Sequence, residues 1–418
     1  MSRDNQITTD VDKSFTIFLW LLSIESFYFG YGELSLVRQI PFGKGIMGLV
    51  MLTSEILLAV LAVRAYKENY QNLNPNVRFI ILLTIIYNLG HIVYAVVWAR
   101  DVSYISLFGN PLYQPAFMLP VAFLIGLNSN RFFLLHKCIW YYVLLMIPIY
   151  VVFQYVEVLA GAGILFLLAF ARYLSRGKNV ILLIIFFLYI VICYYGDARV
   201  PMIRVMMGGA ILLFSYTSLY KSNLVKGVIL SLGVTLPLIF LGLFATTGYS
   251  VFEQSQLSSY VSDLGVGHTG DTRTFLYEEI FQDLTDNDAW VFGKGINGTY
   301  YSSYFDNKYS LEKENRFLAE VGFLDFLLKG GIFQTILYWL LMIAAIFVSF
   351  FRSSNKFAVL LGLVIMSHYV LLFVEDVPRY DLYNIAMWFY IGLAFSLSDK
   401  EIDDEWCEEQ FYLLFAKR

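Results

Sequence analysis

"FIILLTIIYNLGHIVYAVVW", residues 79–98, carries no charged side chain. An α-helix needs about 20 mostly apolar residues to cross the hydrocarbon core of a bilayer. Runs of this length and character recur along the 418-residue chain. Hydrophobic residues make up 58% of it and charged ones 15%, against about 25% charged in soluble domains. The mean hydropathy is +0.63. The reading is an all-α polytopic membrane protein. Barrel strands are excluded, because they would alternate polar and apolar residues over about 10 positions.

About twelve spans are expected, at 14–32, 46–65, 79–98, 113–128, 138–153, 155–173, 180–196, 200–219, 226–247, 331–351, 357–374 and 382–397. The fourth is short and contains Pro115 and Pro120. The first follows a polar leader and is long enough to remain as an anchor. Lys and Arg set orientation. Arg64, Lys67, Arg78, Arg131, Lys137, Arg172, Arg176, Lys178, Lys221, Lys226, Arg352 and Lys356 fall in alternate loops. Both termini are therefore expected in the cytoplasm. The chain reads as one integral membrane domain over 1–418, with a cytoplasmic tail at 399–418 read as a solvated end and one long extracytoplasmic loop at 248–330.

That loop is far longer than the usual 12–15 residues or so, and loops of that size tend to be functional or disordered. Its Phe, Tyr, Leu and Trp content argues against disorder. From Asp271, a plausible N-cap, Phe275, Leu276, Ile280, Phe281 and Leu284 recur at helical spacing. This predicts a short amphipathic helix. A second is expected over 311–329, with Phe317, Val321, Leu324 and Leu328 as its apolar stripe and Arg316 and Glu320 one turn apart. Gly330 and Gly331 should break it before the next span. "GKGING" (293–298) matches a dinucleotide fingerprint, but no βαβ unit surrounds it, so it reads as a tight turn.

Five arginines fall on the outer side: Arg199, Arg204, Arg273, Arg316 and Arg379. Positive charge there runs against the topology rule, and the loop itself is net acidic. Each arginine is thus individually placed. The guanidinium fork suits phosphate oxygens, and salt bridges to Asp197, Asp271, Glu375 or Asp376 are the plainer alternative. Glu25 and Glu55 lie inside spans and face a cavity or pair with Arg204. His91 and His368 read as packed, hydrogen-bonded residues. Trp290, Tyr300, Tyr301 and Tyr304 are candidate sugar-stacking rings. No His, Asp or Cys grouping has metal-ligand spacing, and Cys138, Cys193 and Cys407 form no framework. Neither metal nor cofactor is expected, and a net charge of −4 gives no sign of nucleic-acid binding.

The span pattern, the late outer loop and an Arg-containing helix before "FGKG" resemble the Wzy-type O-antigen polymerases and the related O-antigen ligases. The similar portion covers about 195–395. The resemblance implies a GT-C-like, metal-independent glycosyltransferase of the bacterial cytoplasmic membrane. Its substrate would be an undecaprenyl diphosphate-linked oligosaccharide, built into O-antigen, capsule or exopolysaccharide. Flippase and chain-length regulator proteins would be its partners. Arg273 and one of Arg199 or Arg204 match the family's outer arginines, and Glu320 stands where the family carries His, in "RFLAEVGFLDFLLKGGI". On this reading the arginines stabilise the leaving diphosphate and Glu320, beside Arg316, is the base for the acceptor hydroxyl. Arg379, Trp290 and Tyr300 would contribute to binding. A ligase of the same architecture and a non-enzymatic transporter or flippase are the rival readings.

Overall fold

The run at 79–98 lies in a helix, Pro75–Trp98, whose polarity is inside out. Phe79, Ile86, Leu89, Val93 and Val97 face outward, while Thr84 and Asn88 are buried with Ile81 and Ala95. A helix in water would show the reverse. Lipid as solvent accounts for this arrangement. Arg176–Tyr195 likewise turns Ile184, Phe187 and Val191 outward.

The computed structural model describes residues 3–30, 43–98, 102–153, 158–196, 198–247, 272–302, 315–353, 355–397 and 404–416. In chain order the helices are α1 (Arg3–Gly30), α2 (Gly43–Asn69), α3 (Pro75–Trp98), α4 (Tyr104–Gly109), α5 (Gln114–Phe117), α6 (Ala122–Gly126), α7 (Asn130–Phe153) and α8 (Val158–Ala169). They continue with α9 (Arg176–Tyr195), α10 (Arg199–Ser215), α11 (Asn223–Thr247), α12 (Thr272–Asp286), α13 (Gly322–Phe351), α14 (Lys356–Leu371), α15 (Leu382–Leu397) and α16 (Asp404–Ala416). A two-residue ladder, β1 (Tyr300–Tyr301) against β2 (Asn315–Arg316), is the only sheet among the described residues. Five of the described helices are long and apolar enough to cross a membrane: Gly45–Asn69, Pro75–Trp98, Asn130–Pro148, Arg176–Tyr195 and Gly322–Phe351.

Helices α13, α14 and α15 form the centre, and α15 is buried over almost its whole length. The α1–α2 pair, α6, and the α8–α10 pair pack around them. At α6 the contact is backbone on backbone. A Cβ on Gly126 would strike Phe389 O, and one on Gly392 would strike Phe123 O. The span expected at 113–128 is not one helix: α5, a 3-10 turn at Leu119–Val121, and α6 follow one another. Pro115 sits in the first turn of α5, where a missing donor is tolerated, and Pro120, five residues on, lies in the 3-10 turn that interrupts the run.

The outer segment is folded around its own core. Leu276, Ile280 and Leu284 from α12 meet Tyr300, Ala319, Val321, Leu324 and Leu328. The expected helix at 311–329 is corrected. Asn315–Arg316 is strand, Glu320 takes a positive φ of 58°, and helix begins only at Gly322. The proposed cap Asp271, the side chain of Phe275 and Tyr304 lie outside the described residues. The tail read as solvated is also corrected. Cys407 and Phe411 of α16 are buried, and Tyr173 donates to Asp404 Oδ1 at 2.9 Å.

Gly331 sits within α13 at φ 69°, ψ −174°, a region open in practice to glycine alone. The break frees backbone groups in a largely buried stretch, where each needs a partner. The glycine turn supplies them. Lys294 N donates to Leu328 O at 2.7 Å and Gly295 N to Lys329 O at 2.9 Å. From the other side of the break, Ile332 N donates to Trp290 O at 2.8 Å and Phe333 N to Val291 O at 3.2 Å. Tyr87 adds its hydroxyl to Gly330 O at 2.8 Å. "GKGING" is the tight turn expected, with Gly293 and Gly295 at φ 68° and 82°. A Cβ on Gly331 would strike Val291 O. Gly331→Ala should therefore cost about 2–5 kcal/mol in strain and overlap. Gly90→Ala, whose Cβ meets open space, should stay within about 1 kcal/mol of the parent. Melting of the two purified variants in detergent checks this.

Candidate functional site

The chain between α14 and α15, "EDVPRYD" (375–381), gathers the polar side chains of the bundle end. Asp381 caps α15, accepting from Asn384 N at 2.8 Å. Arg379 Nε donates to its other oxygen at 2.8 Å, so Arg379 braces that cap. Gly322 N donates to Glu375 O at 2.6 Å, Tyr380 N to Pro111 O at 2.9 Å, and Leu382 N to Ser26 Oγ at 2.9 Å. A Cβ at Gly322 would strike Asp376 O. The segment is thus pinned to α13, the turn before α5, and α1.

Asp376 lies at its centre. Its carboxylate is ion-paired with Arg204 of α10, and both side chains are 0% exposed. Tyr383 Oη donates to Asp376 Oδ2 at 2.6 Å. His368 Nδ1 lies 3.0 Å from the same oxygen and 2.8 Å from Tyr383 Oη. Both neighbours act as acceptors toward it, so Nδ1 carries the proton. The Arg204 guanidinium also lies 5.2 Å from the centre of the Tyr383 ring. Burial pushes the Asp376 carboxyl up. The Arg204 charge and the His368 and Tyr383 hydrogen bonds outweigh it and hold the group below its ordinary value. One buried cation is therefore held in place by three side chains from three elements.

Arg204 is thus paired with Asp376, a partner the sequence names, and not with Glu25 or Glu55. His368 is packed and hydrogen-bonded as expected, and His91 packs between Tyr87 and Phe117. Arg199 opens α10 and is exposed. Arg273 is the second residue of α12, and its side chain lies outside the described residues. Arg316 is in β2, opposite Tyr300, and is ion-paired with Glu320 across a turn. That pair forms as expected, without the helix that was to align it. Tyr300 is a core residue at 1% exposure, its hydroxyl donating to Leu318 O at 3.3 Å. So enclosed a ring offers no face to a sugar. Trp290 packs on Phe281 and donates to Thr285 Oγ1 at 3.1 Å.

Sequence reasoning missed a second buried pair. Asp325 and Lys329, one turn apart on α13, approach to 3.0 Å at 1% and 3% exposure. Lys329 Nζ also donates to Leu112 O at 3.3 Å and lies 4.0 Å from the centre of the Phe317 ring. Phe317 in turn stacks on Tyr113. Among the described residues no group of three or more His, Cys, Asp or Glu side chains is placed to hold a metal ion.

The chain matches no protein-family model and no curated protein.

Removing one partner of a buried ion pair strands the other charge, at about 3–5 kcal/mol. Asp376→Ala should lose about that much by melting in detergent, and Arg204→Met with Asp376→Leu should recover most of it. The depressed Asp376 value sets the sign with pH. Its contribution is present above the ordinary Asp range and is lost as pH falls through the lowered value. The double variant should show a flatter acid limb in melting temperature.

Proposed function

We propose that the chain is a polymerase of the bacterial cytoplasmic membrane, joining polyprenyl diphosphate-linked oligosaccharides at the outer face into O-antigen, capsule or exopolysaccharide. The observation that carries this reading is Arg204. A guanidinium fixed by Asp376, His368 and Tyr383 is held in one geometry, and since it is fully enclosed it meets a developing anion only where substrate opens its surroundings. It stands at the start of α10, five residues after exposed Arg199. The reading takes about twelve crossings, both termini in the cytoplasm and the 248–330 segment outside, as the Lys/Arg distribution suggests.

In this scheme Arg204, Arg199 and Arg273 take up the charge that collects on the diphosphate as the glycosidic bond to it breaks. Glu320 removes the proton from the acceptor hydroxyl, and Arg316, its ion-pair partner, orients it. Arg379 acts through the cap on α15. The residues need no metal for these steps.

One observation favours a second reading. Transporters place discontinuous helices beside buried polar groups. The break at Gly331 has Gln334 and Asn88 next to it, 3.0 Å apart. A flippase would leave lipid-linked repeats on the cytoplasmic face in a deletion strain. A ligase would leave long unattached chains, and a polymerase single repeats on surface lipid.

The stability-recovered Arg204→Met, Asp376→Leu variant separates fold from function. It should make polymer about 10²–10³-fold more slowly than the parent, read from surface glycan on gels. Full-length polymer at parental rate refutes the role of Arg204. Topology is tested apart from this. In a background without native cysteines, Asn287→Cys should react with an impermeant thiol reagent from outside and Ser218→Cys should not. Both positions are exposed.

A further inference from the structure

Glu25 of α1 and Glu55 of α2 belong to neither pair of buried charges described above. Both are buried, at 0% and 5% exposure. They are close enough to repel one another. Gln114, at the start of α5, hydrogen-bonds Glu55, and Ser54 and Tyr380 complete the surroundings. Ser54 Oγ lies 3.3 Å from Tyr380 Oη, but its proton is directed to Met51 O at 2.8 Å. Both Glu25 oxygens, Glu55 Oε1 and Gln114 Oε1 are enclosed with no hydrogen-bond partner. The Gln114 oxygen is independent of the acids. It belongs to a side chain 4% exposed that the hydrogen bond to Glu55 places beside the two acids.

No Lys, Arg or His of the described residues forms an ion pair with either carboxylate. Two enclosed carboxylates do not persist ionised without a counter-charge. The surplus here is of acceptors, drawn from α1, α2 and α5. The donors beside them are two hydroxyls, Tyr380's and that of Ser54, which is shared between Met51 O and Glu25. Oxygen ligands without His or Cys select hard cations over soft ones.

The geometry points to a hard metal cation bound by Glu25, Glu55, Gln114 Oε1 and the Ser54 and Tyr380 hydroxyls. Two carboxylates would neutralise a divalent ion, and one proton with a monovalent ion would balance them equally. Tyr380 lies four residues after Asp376 in the same segment. The cation would therefore tie α1 and α2 to the segment that holds Arg204, without touching that arginine.

Binding of the ions themselves tests this, with no measurement of activity. The purified full chain in detergent is stripped with EDTA and melted in choline chloride, in sodium chloride, and in choline chloride with calcium chloride, at matched ionic strength. One of the metal salts should raise the melting temperature saturably, since a ligand of the folded state stabilises it by mass action. Which salt does so identifies a monovalent or a divalent ion. Equilibrium dialysis with radiolabelled sodium or calcium should return about one ion per chain. Glu25→Gln and Glu55→Gln each remove a stranded charge. Each should melt at or above the parent in choline chloride, while losing the metal response and the bound ion. Equal melting of the parent in all three salts overturns the proposal. So does an undiminished metal response in both variants. Stabilisation by acidification alone, with no metal response, assigns the site to protons and overturns it as well.

Discussion

A helix broken inside packed structure must find partners for the amides and carbonyls it releases, and that requirement organises the outer segment of this protein. The break at Gly331 releases groups on both sides. The turn at 290–295 returns four hydrogen bonds to them. Two glycines make this approach feasible. Gly331 takes a conformation closed to side chains, and Gly293 presents bare backbone to Lys329 and Gly330. The clasp follows directly on α12, which supplies Leu276, Ile280 and Leu284 to the outer core. Glycines that resemble a nucleotide motif therefore serve the backbone of their own chain.

The second organising element is the segment at 375–381. It holds Arg204 through Asp376, caps α15 through Asp381, and rests on α1, α13 and the turn before α5. Within this segment and in the outer segment, charge is managed locally. Arg204, Lys329, Arg316 and Arg379 each have a carboxylate partner. Burial makes the first two of these pairs costly to assemble and costlier to break. Conformational definition at the bundle end is what this arrangement provides.

The bilayer-facing helices were legible because lipid reverses the polarity rule, and α3 and α9 carry that reversal plainly. The pairing of Arg204 was legible as one of several options, with Asp376 among them. Its geometry was not, since His368 and Tyr383 come from elements that only the fold brings together. At 311–329 the burial of Val321, Leu324 and Leu328 was read correctly and the helix was not. Glu320 turns the chain with a positive φ that non-glycine residues seldom announce. Asp325 and Lys329 have the spacing of a surface pair, and burial alone sets them apart. Aromatic content could not separate Tyr300 in a core from an open sugar platform. In α16 a dense run of acids obscured the Cys407 and Phe411 edge that packs against the bundle.

The reciprocal contact of Gly126 with Phe389 and Gly392 with Phe123 joins positions far apart in the chain. Close backbone approach of this kind is how helices associate in lipid, where apolar side chains gain little by leaving the tails. It also imposes an order on biogenesis. The short, proline-interrupted stretch that ends in α6 leaves the ribosome long before α15, and until α15 arrives its irregular backbone lacks the surface that shields it from lipid. Non-local closure of this sort is slow. The contact at α6 is therefore among the last to form, because it cannot exist before α15 is made.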